Sequence, residues 1–223
     1  MELEIKEINK KEWPRRDLYN YFTKIMPTYF SLTVDIDVTE IVMYSKKNKI
    51  TFFPVSLWLI SKAVNETPNF RLAQTKDKKL IEYNHIIPMF PVFHKAEQIV
   101  TNACADTCQS FSAFLTEYHE QVESARKTIK FVTSKYPYVP QNVFTISMLP
   151  TLHFNAISEF FPLSKDKPLF NPIIIAGKYV KIGERYTMPI SLQINHAVSD
   201  GYHASIFYDL LQKYFSAPDF YIK

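Results

Sequence analysis

The residues best suited to chemistry lie at the C-terminal end of one apolar strand pattern. Residues 188–196 alternate between apolar and polar side chains, and one face carries Met188, Ile190, Leu192, Ile194 and His196. Asp200 and Gly201 then break the pattern and an apolar helix follows, which predicts that His196 lies at an accessible strand-to-helix corner. Apolar surroundings favour the neutral imidazole, the form that acts as a general base near neutral pH.

The pattern alone leaves three other roles open for this segment. His196 fits a core histidine that bonds to a backbone carbonyl. His196, Asp200 and His203 fit metal ligands only if the whole segment is helical, and Gly201 together with the preceding strand pattern argues against that. A Ser-His-Asp hydrolase triad with Asp200 as the orienting carboxylate is the third role, although the sequence contains no GxSxG elbow.

Helical and strand patterns place this corner within a mixed fold. Residues 15–25 have helical spacing, with Leu18, Phe22 and Ile25 on one face, and residues 29–37 alternate as a half-buried strand does. Further helices are predicted at 53–65, 109–130 and 203–215, and further strands within 79–100 and at 143–148, 173–181 and 186–197, with a turn at Gly183. Because this order lacks a regular βαβ rhythm, it predicts an α/β (α+β) two-layer sandwich, a mixed β-sheet covered by helices, in a single domain over residues 1–223.

Composition excludes several classes of protein. The chain has 223 residues, of which 47% are hydrophobic and 22% charged, so it can bury a sizeable core and does not resemble a disordered chain. No apolar run is long enough to span a membrane. The net charge of +4 is spread over small clusters, which argues against a nucleic-acid partner. With only three glycines the sequence contains neither a GxGxxG motif nor a P-loop.

The cysteines and the N-terminal residues indicate whether the protein binds a metal and in which compartment it works. Cys104 and Cys108 are the only cysteines, and their spacing fits neither a CxxC pair nor a disulfide framework. We expect two reduced, buried thiols and no metal cofactor. The first residues lack the apolar stretch of a signal peptide, which predicts a cytoplasmic protein.

Several motifs in a fixed order identify a resemblance to a known family. The segment from His196 through Asp200 and Gly201 resembles the HxxxDG signature of CoA-dependent acyltransferases, and specifically of the chloramphenicol acetyltransferase family. Other segments look like that family in the same order: 13–16, 30–33, 53–55, 91–94, 146–150, 172–174 and 177–179. The resemblance therefore runs essentially from end to end of the chain.

The resemblance implies a mechanism and an assembly. It implies a homotrimer with active sites between subunits, in which acetyl passes directly from acetyl-CoA, the co-substrate, to a hydroxyl of chloramphenicol. His196 is then the general base, and its other ring nitrogen donates to its own backbone carbonyl. Ser147 hydrogen-bonds the oxyanion of the tetrahedral intermediate, and Asp200 forms a structural ion pair with Arg15. No metal and no nucleic-acid or membrane partner is implied.

The resemblance also assigns the binding residues. Lys178 and Tyr179 look like positions near the CoA channel, where a cation suits a phosphate-bearing ligand. The acceptor pocket is expected to draw on eight residues: Tyr21, Phe22, Met26, Thr28, Phe30, Val100, Asn102 and Ile157.

Departures from the family pattern concentrate on the acceptor side. Asn195 replaces a histidine, Thr151 a tryptophan, and Ile175 a threonine that holds an ordered water. Val100 and Ile157 stand where aromatic side chains are common, and Asn102 where a small residue is common. These departures leave open another hydroxylated acceptor, or a low-turnover homologue that sequesters its ligand. Hydrolysis through an acyl-enzyme on Ser147 is a further alternative.

Overall fold

A mixed sheet forms the frame of the molecule. The computed structural model describes residues 2–133, 141–159 and 168–223. Six strands lie side by side in the order β2 (Tyr29–Asp37), β10 (Arg185–Asn195), β8 (Ile173–Ala176), β7 (Val143–Met148), β5 (Ile87–His94) and β6 (Ile99–Cys104), and β9 (Val180–Ile182) pairs with the start of β10. The β8–β7 and β7–β5 pairs are parallel, and the other pairs of this sheet are antiparallel.

Helices cover one face of this sheet. They are α2 (Thr39–Asn48), α3 (Phe52–Asn65), α4 (Phe111–Arg126) and α5 (Gly201–Phe215), with a short α6 (Pro218–Tyr221) after them. Side chains of α3 and α5 share one core with Ile190, Leu192 and Ile194 of β10. The hydroxyl of Tyr208 on α5 lies 2.7 Å from the Leu32 carbonyl oxygen and ties this helix to the sheet edge. The predicted two-layer α/β sandwich is therefore confirmed.

Local sequence explains where the principal helices begin. Pro54 lies in the first turn of α3, where its missing N–H costs no intrahelical hydrogen bond. The Ser110 hydroxyl caps α4 by accepting the N–H of Ala113, and Asp200 caps α5 by accepting the N–H of Tyr202. The N-terminus of α5 therefore begins immediately after the strand that ends beside His196.

A smaller layer carries the N-terminal part of the chain. Strands β1 (Ile5–Glu7), β4 (Leu80–Tyr83) and β3 (Leu72–Gln74) form an antiparallel sheet, and a 3₁₀ turn covers Pro68–Arg71. Helix α1 (Arg16–Asn20) continues as a π-helical turn over Tyr21–Ile25. A π turn is uncommon and is found frequently at functional sites.

Most predicted elements are present, with four differences. The strand predicted at 173–181 is divided into β8 and β9, and the helix predicted at 109–130 is shorter, because its cap lies at Ser110. The apolar face predicted for residues 15–25 is not the face that is buried. Tyr19 and Thr23 are buried, whereas Leu18 and Ile25 are 46% and 70% exposed. Helix α2 is also present without having been predicted.

Both cysteines are free thiols, as predicted. Cys104 is buried and Cys108 is half-buried. Desolvation, together with the neighbouring Asp106 carboxylate, raises the pKa of the Cys108 thiol to about 12. Among the described residues, no helix has the length and apolar character that crossing a membrane requires.

Candidate active site

His196 lies immediately after β10, between two aromatic rings. Its backbone N–H donates to the Thr28 carbonyl at 2.9 Å, which attaches the corner to the segment before β2. The Phe22 ring stacks on the imidazole with centroids 4.2 Å apart, and Phe30 meets it at 5.0 Å in an edge arrangement. The half-buried imidazole is therefore held in one plane by apolar contacts.

The tautomer of His196 follows from its one ring hydrogen bond among the described residues. Nδ1 lies 3.1 Å from the carbonyl oxygen of Ser199. Because a carbonyl only accepts, Nδ1 carries the proton and Nε2 keeps its lone pair. The expectation that Nδ1 would donate to the histidine's own carbonyl is wrong. That carbonyl accepts from Arg15 instead, and the turn after β10 brings the Ser199 carbonyl to the ring.

The predicted Arg15–Asp200 ion pair is present and supports the corner. Arg15 Nη1 lies 2.6 Å from Asp200 Oδ2, while Nε and Nη2 of the same guanidinium donate to the carbonyls of Ala197 and His196 at 3.2 and 3.0 Å. Desolvation raises the pKa of the Asp200 carboxyl, but hydrogen bonds from Arg15 and His203 outweigh it and lower the pKa to about 2. Asp200 therefore acts through Arg15 on the backbone around His196.

Ser147 lies far from His196 within one chain. It pairs with Ile175 of β8, which pairs in turn with Ser191 of β10, five residues before His196. Two strand spacings and five residues of strand together separate the two side chains by roughly 19 Å. Ile174 and Leu192 face the helices, so Ser147, which has the opposite alternation, points away from them. Its hydroxyl has no hydrogen-bond partner among the described residues.

The predicted acceptor pocket is divided in the same way. One group surrounds His196: Tyr21, Phe22, Met26, Thr28 and Phe30. Tyr21 packs edge-on against Phe22, and its hydroxyl lies 4.0 Å from the sulfur of Met26. Tyr21 and Phe22 lie on the π turn, Phe30 lies on β2, and Met26 and Thr28 lie between the two, so the turn brings aromatic side chains to the base.

The other group shares the sheet face of Ser147. Asn102 and Val100 lie on β6, and their register partners on β5 alternate with the helix-facing Phe90. Ile157 crosses the same face, where its carbonyl lies 3.0 Å and 2.8 Å from the hydroxyls of Ser31 and Ser191. The second half of the pocket therefore belongs to the face opposite the helices.

The positions predicted for CoA lie on the connection between β8 and β9. Lys178 is exposed, and its backbone N–H and carbonyl bond to Leu152 and His153. Tyr179 packs against Phe52 and Tyr186 at 5.0 and 5.6 Å. A cavity of about 280 Å³ beside Tyr179 is lined by two further cations, Lys46 and Lys49. This arrangement offers positive charge and an aromatic surface to a phosphate-bearing ligand.

Two departures from the family pattern have a visible structural effect. Ile175 is buried directly opposite Ser147, so an apolar side chain stands where a hydroxyl would hold water. Asn195 points away from the base: its side chain accepts the N–H of Ala197 and donates to the Leu169 carbonyl. Thr151 is exposed.

Two supporting residues were not among the predicted site residues. Ser199 orients the imidazole through its backbone carbonyl, which no residue type reveals. Gly177 leaves room for its neighbours, because a β-carbon there would lie 2.7 Å from Pro189 and 2.9 Å from Phe154. The scarcity of glycine in the chain is the signal that would have found it.

Comparisons with known proteins agree along the whole chain. The family model described as chloramphenicol acetyltransferase matches residues 3–212. A chloramphenicol acetyltransferase of Clostridium perfringens is 28% identical over 207 residues, which cover 93% of this chain and 96% of that protein. Chloramphenicol acetyltransferase 3 of Escherichia coli is 30% identical over 203 residues, with 91% and 93% covered.

Solved structures show the same fold. A chloramphenicol acetyltransferase superposes with a TM-score of 0.83 at 22% identity, covering 95% of this chain and 100% of that chain. A dihydrolipoamide acetyltransferase of Azotobacter vinelandii superposes with a TM-score of 0.65 at 19% identity, covering 97% and 91%.

Proposed function

Because this chain belongs to the chloramphenicol acetyltransferase family, we propose that it transfers an acetyl group from acetyl-CoA to a hydroxyl of chloramphenicol. The observation that carries the proposal is the fixed tautomer of His196. Its Nδ1 proton is donated to the Ser199 carbonyl, which leaves the Nε2 lone pair available, and the ring packs against Phe22 and Phe30. A neutral imidazole in this state is a general base.

The proton and the acetyl group move in one sequence. Nε2 of His196 takes the proton of the acceptor hydroxyl while the hydroxyl oxygen attacks the thioester carbonyl of acetyl-CoA. The Ser147 hydroxyl donates a hydrogen bond to the resulting oxyanion. When the tetrahedral intermediate collapses, the C–S bond breaks, and the leaving CoA thiolate recovers the proton from His196. The ester and free CoA are released, and no acyl-enzyme is formed.

The separation between the two catalytic residues supports an intersubunit site. At roughly 19 Å, His196 and Ser147 of a single chain cannot contact the same carbonyl carbon. A contact that joins the His196 half of one subunit to the Ser147 half of the next is heterologous, and such a contact generates a ring when the rotation between subunits closes. We propose a homotrimer, the assembly that the family resemblance implies.

The segment between β8 and β9 is the proposed binding site of acetyl-CoA. We propose that the Lys178 ammonium binds a phosphate of CoA and that the Tyr179 ring supports its apolar and aromatic parts. The proposal includes no metal in the reaction. We infer further that residues 1–223 form a single catalytic domain that works in the cytoplasm, where its two free thiols stay reduced.

A thiol-release assay with acetyl-CoA tests the reaction. We expect release that depends on chloramphenicol, and a fall of at least ~10²-fold in His196→Ala. His119→Ala, which removes an exposed histidine from α4, is the matched control and is expected to keep the wild-type rate.

Each competing function gives a different result in the same assay. Another hydroxylated acceptor would release thiol only when that acceptor is supplied, and a sequestering homologue would bind chloramphenicol saturably without releasing thiol. A hydrolase would release thiol without any acceptor and would carry an acetyl group on Ser147, which mass spectrometry detects.

A further inference from the structure

Three side chains with metal-binding atoms lie close together beside β5 and β6, at the other side of the sheet from β10 and His196. His85 lies between β4 and β5, and Asp106 and Cys108 lie in the connection from β6 to α4. One ligand atom of each residue lies within 4.8 Å of the others. His85 is buried and the other two are half-buried, so the group forms a local site and not a loose surface cluster. None of these residues takes part in the proposed acetyl transfer.

The tautomer of His85 is set by a neighbour outside the cluster. Nδ1 of His85 lies 3.0 Å from Asn84 Oδ1. The same Asn84 atom accepts the backbone N–H of Glu4 at 3.0 Å, while the Asn84 amide nitrogen donates to the Glu2 carbonyl, so Oδ1 is an acceptor. Nδ1 of His85 therefore carries the proton, and Nε2 keeps the lone pair that a metal requires. Metal-binding histidines are ordinarily oriented in this way by an acceptor on the other nitrogen.

The other two ligands are already positioned by their loop. The backbone N–H of Cys108 donates to Asp106 Oδ1 at 2.8 Å, and the Gln109 amide donates to the Asp106 carbonyl at 3.0 Å. The Cys108 thiol is hydrogen-bonded to the same carboxylate. The carboxylate and the sulfur therefore face each other before any ion binds, which reduces the ordering that binding requires.

A cavity gives an ion access to this group. It has a volume of about 340 Å³, and His85, Cys108, Asn84 and Gln109 are among the residues that line it. Lys62, the cation on its wall, is paired with Glu66 at 2.9 Å. The cavity leaves room for an entry path and for a fourth ligand from solvent, the two features that a usable metal site needs besides its protein ligands.

We propose that His85, Asp106 and Cys108 bind one zinc-class divalent transition ion, with water as the fourth ligand. A nitrogen, a sulfur and a carboxylate oxygen suit Zn²⁺ or Co²⁺, whereas Mg²⁺ and Ca²⁺ require several oxygen ligands. On binding, the Cys108 thiol loses its proton to solvent and its sulfur forms the metal bond. The thiolate and the carboxylate then balance the two positive charges of the ion. The ion would connect the β4–β5 turn to the loop before α4.

Cobalt substitution tests the site without any assay of activity. The full-length protein, freed of metal with EDTA, is titrated with Co²⁺ and followed by absorption spectroscopy. We expect one equivalent to bind per chain, with a thiolate-to-cobalt charge-transfer band and the intense visible bands of a tetrahedral ion. Zn²⁺ is expected to displace it and to raise the melting temperature.

Matched variants assign the ligands. Cys108→Ala is expected to lose the charge-transfer band and to weaken Zn²⁺ binding by at least ~10-fold. Cys104→Ala, which removes the other thiol of the chain, is expected to keep both, as is His196→Ala. Circular dichroism shows whether each variant folds, and His85→Gln serves as a second ligand variant. The proposal is overturned if wild type shows no charge-transfer band, or if the band persists in folded Cys108→Ala.

Discussion

At the scale of single residues, the base depends on hydrogen bonds that come from backbone atoms. The Ser199 carbonyl fixes the His196 tautomer, and Arg15 binds the carbonyls of His196 and Ala197. Arg15 is held in turn by its ion pair with the Asp200 carboxylate. The sequence identified His196, Arg15 and Asp200 through the resemblance, because their side chains form the motif. It did not identify Ser199, since any residue type supplies a carbonyl.

The lowered pKa of Asp200 predicts how this corner depends on pH. A carboxyl whose pKa is about 2 in the folded state, against about 3.9 when unfolded, contributes on the order of 2 kcal/mol above the unfolded pKa. The contribution is lost as pH falls from about 4 toward 2, because protonation then favours the unfolded chain. Asp200→Asn removes the ionisable group, so its deficit in unfolding free energy relative to wild type is expected to be constant from pH 7 to 5 and to shrink below about 4. Urea denaturation across this pH range measures the difference, and a deficit that does not change with pH would contradict the assignment.

At the scale of elements, the sequence predicted the strands from their alternation, but it did not predict which side of the helical segment beside the site is buried. Strands β2 and β7 have the predicted bounds, because apolar and polar side chains alternate along each of them, and in β7 the apolar Phe144 and Ile146 are buried. Residues 15–25 follow the helical pattern only as far as Asn20. The π turn that follows inserts extra chain per turn, so the 3.6-residue spacing no longer predicts which side chains are buried. The error occurs where the chain departs from regular helix to position Phe22 against the base.

Gly177, at the end of β8, gives a prediction about the segment that carries Lys178 and Tyr179. A β-carbon there would lie 2.7 Å from Pro189, 2.9 Å from Phe154 and 3.0 Å from the Leu152 carbonyl. Gly177→Ala is therefore expected to destabilise the fold by about 1–3 kcal/mol and to raise KM for acetyl-CoA more than KM for chloramphenicol.

Gly201 provides the control for this substitution. It is the first residue of α5, and no atom lies within 4 Å of the position that its β-carbon would occupy. Gly201→Ala is expected to be neutral or to stabilise by up to about 1 kcal/mol, because alanine loses less backbone entropy in a helix. Equal stability of the two variants in urea denaturation would refute the crowding argument.

At the scale of the whole molecule, apolar side chains of the helical segment before β2 and of β2 itself are exposed. Leu18, Ile25 and Met26 in that segment, and Leu32 and Val34 on the edge strand β2, are each between 37% and 70% exposed. The sequence predicted one apolar face for residues 15–25, and in the proposed assembly a neighbouring subunit covers part of it. The sequence could not locate the two halves of the site in space, because the distance between His196 and Ser147 is set by strand order, which no local pattern determines.

A subunit-mixing experiment tests the divided site. His196→Ala and Ser147→Ala are each expected to be inactive alone, the second by ~10² to 10³-fold in kcat. When the two are co-expressed with different tags and the mixed trimers are purified, about one site in three combines an intact His196 with an intact Ser147, so activity of that order is expected to return. Mixed assemblies that stay as inactive as their parents would show that each site is built within one chain.

In the proposed ring, the strand register that separates Ser147 from His196 also determines whether a defective allele is dominant. A gene copy that encodes both substitutions but still assembles would enter rings with normal chains and leave only about one site in four intact at equal expression. A truncated copy that cannot assemble would leave every normal site intact. In a cell that carries two copies, dominance of a defect would therefore follow its ability to assemble, and the milder lesion to the fold would be the more harmful allele.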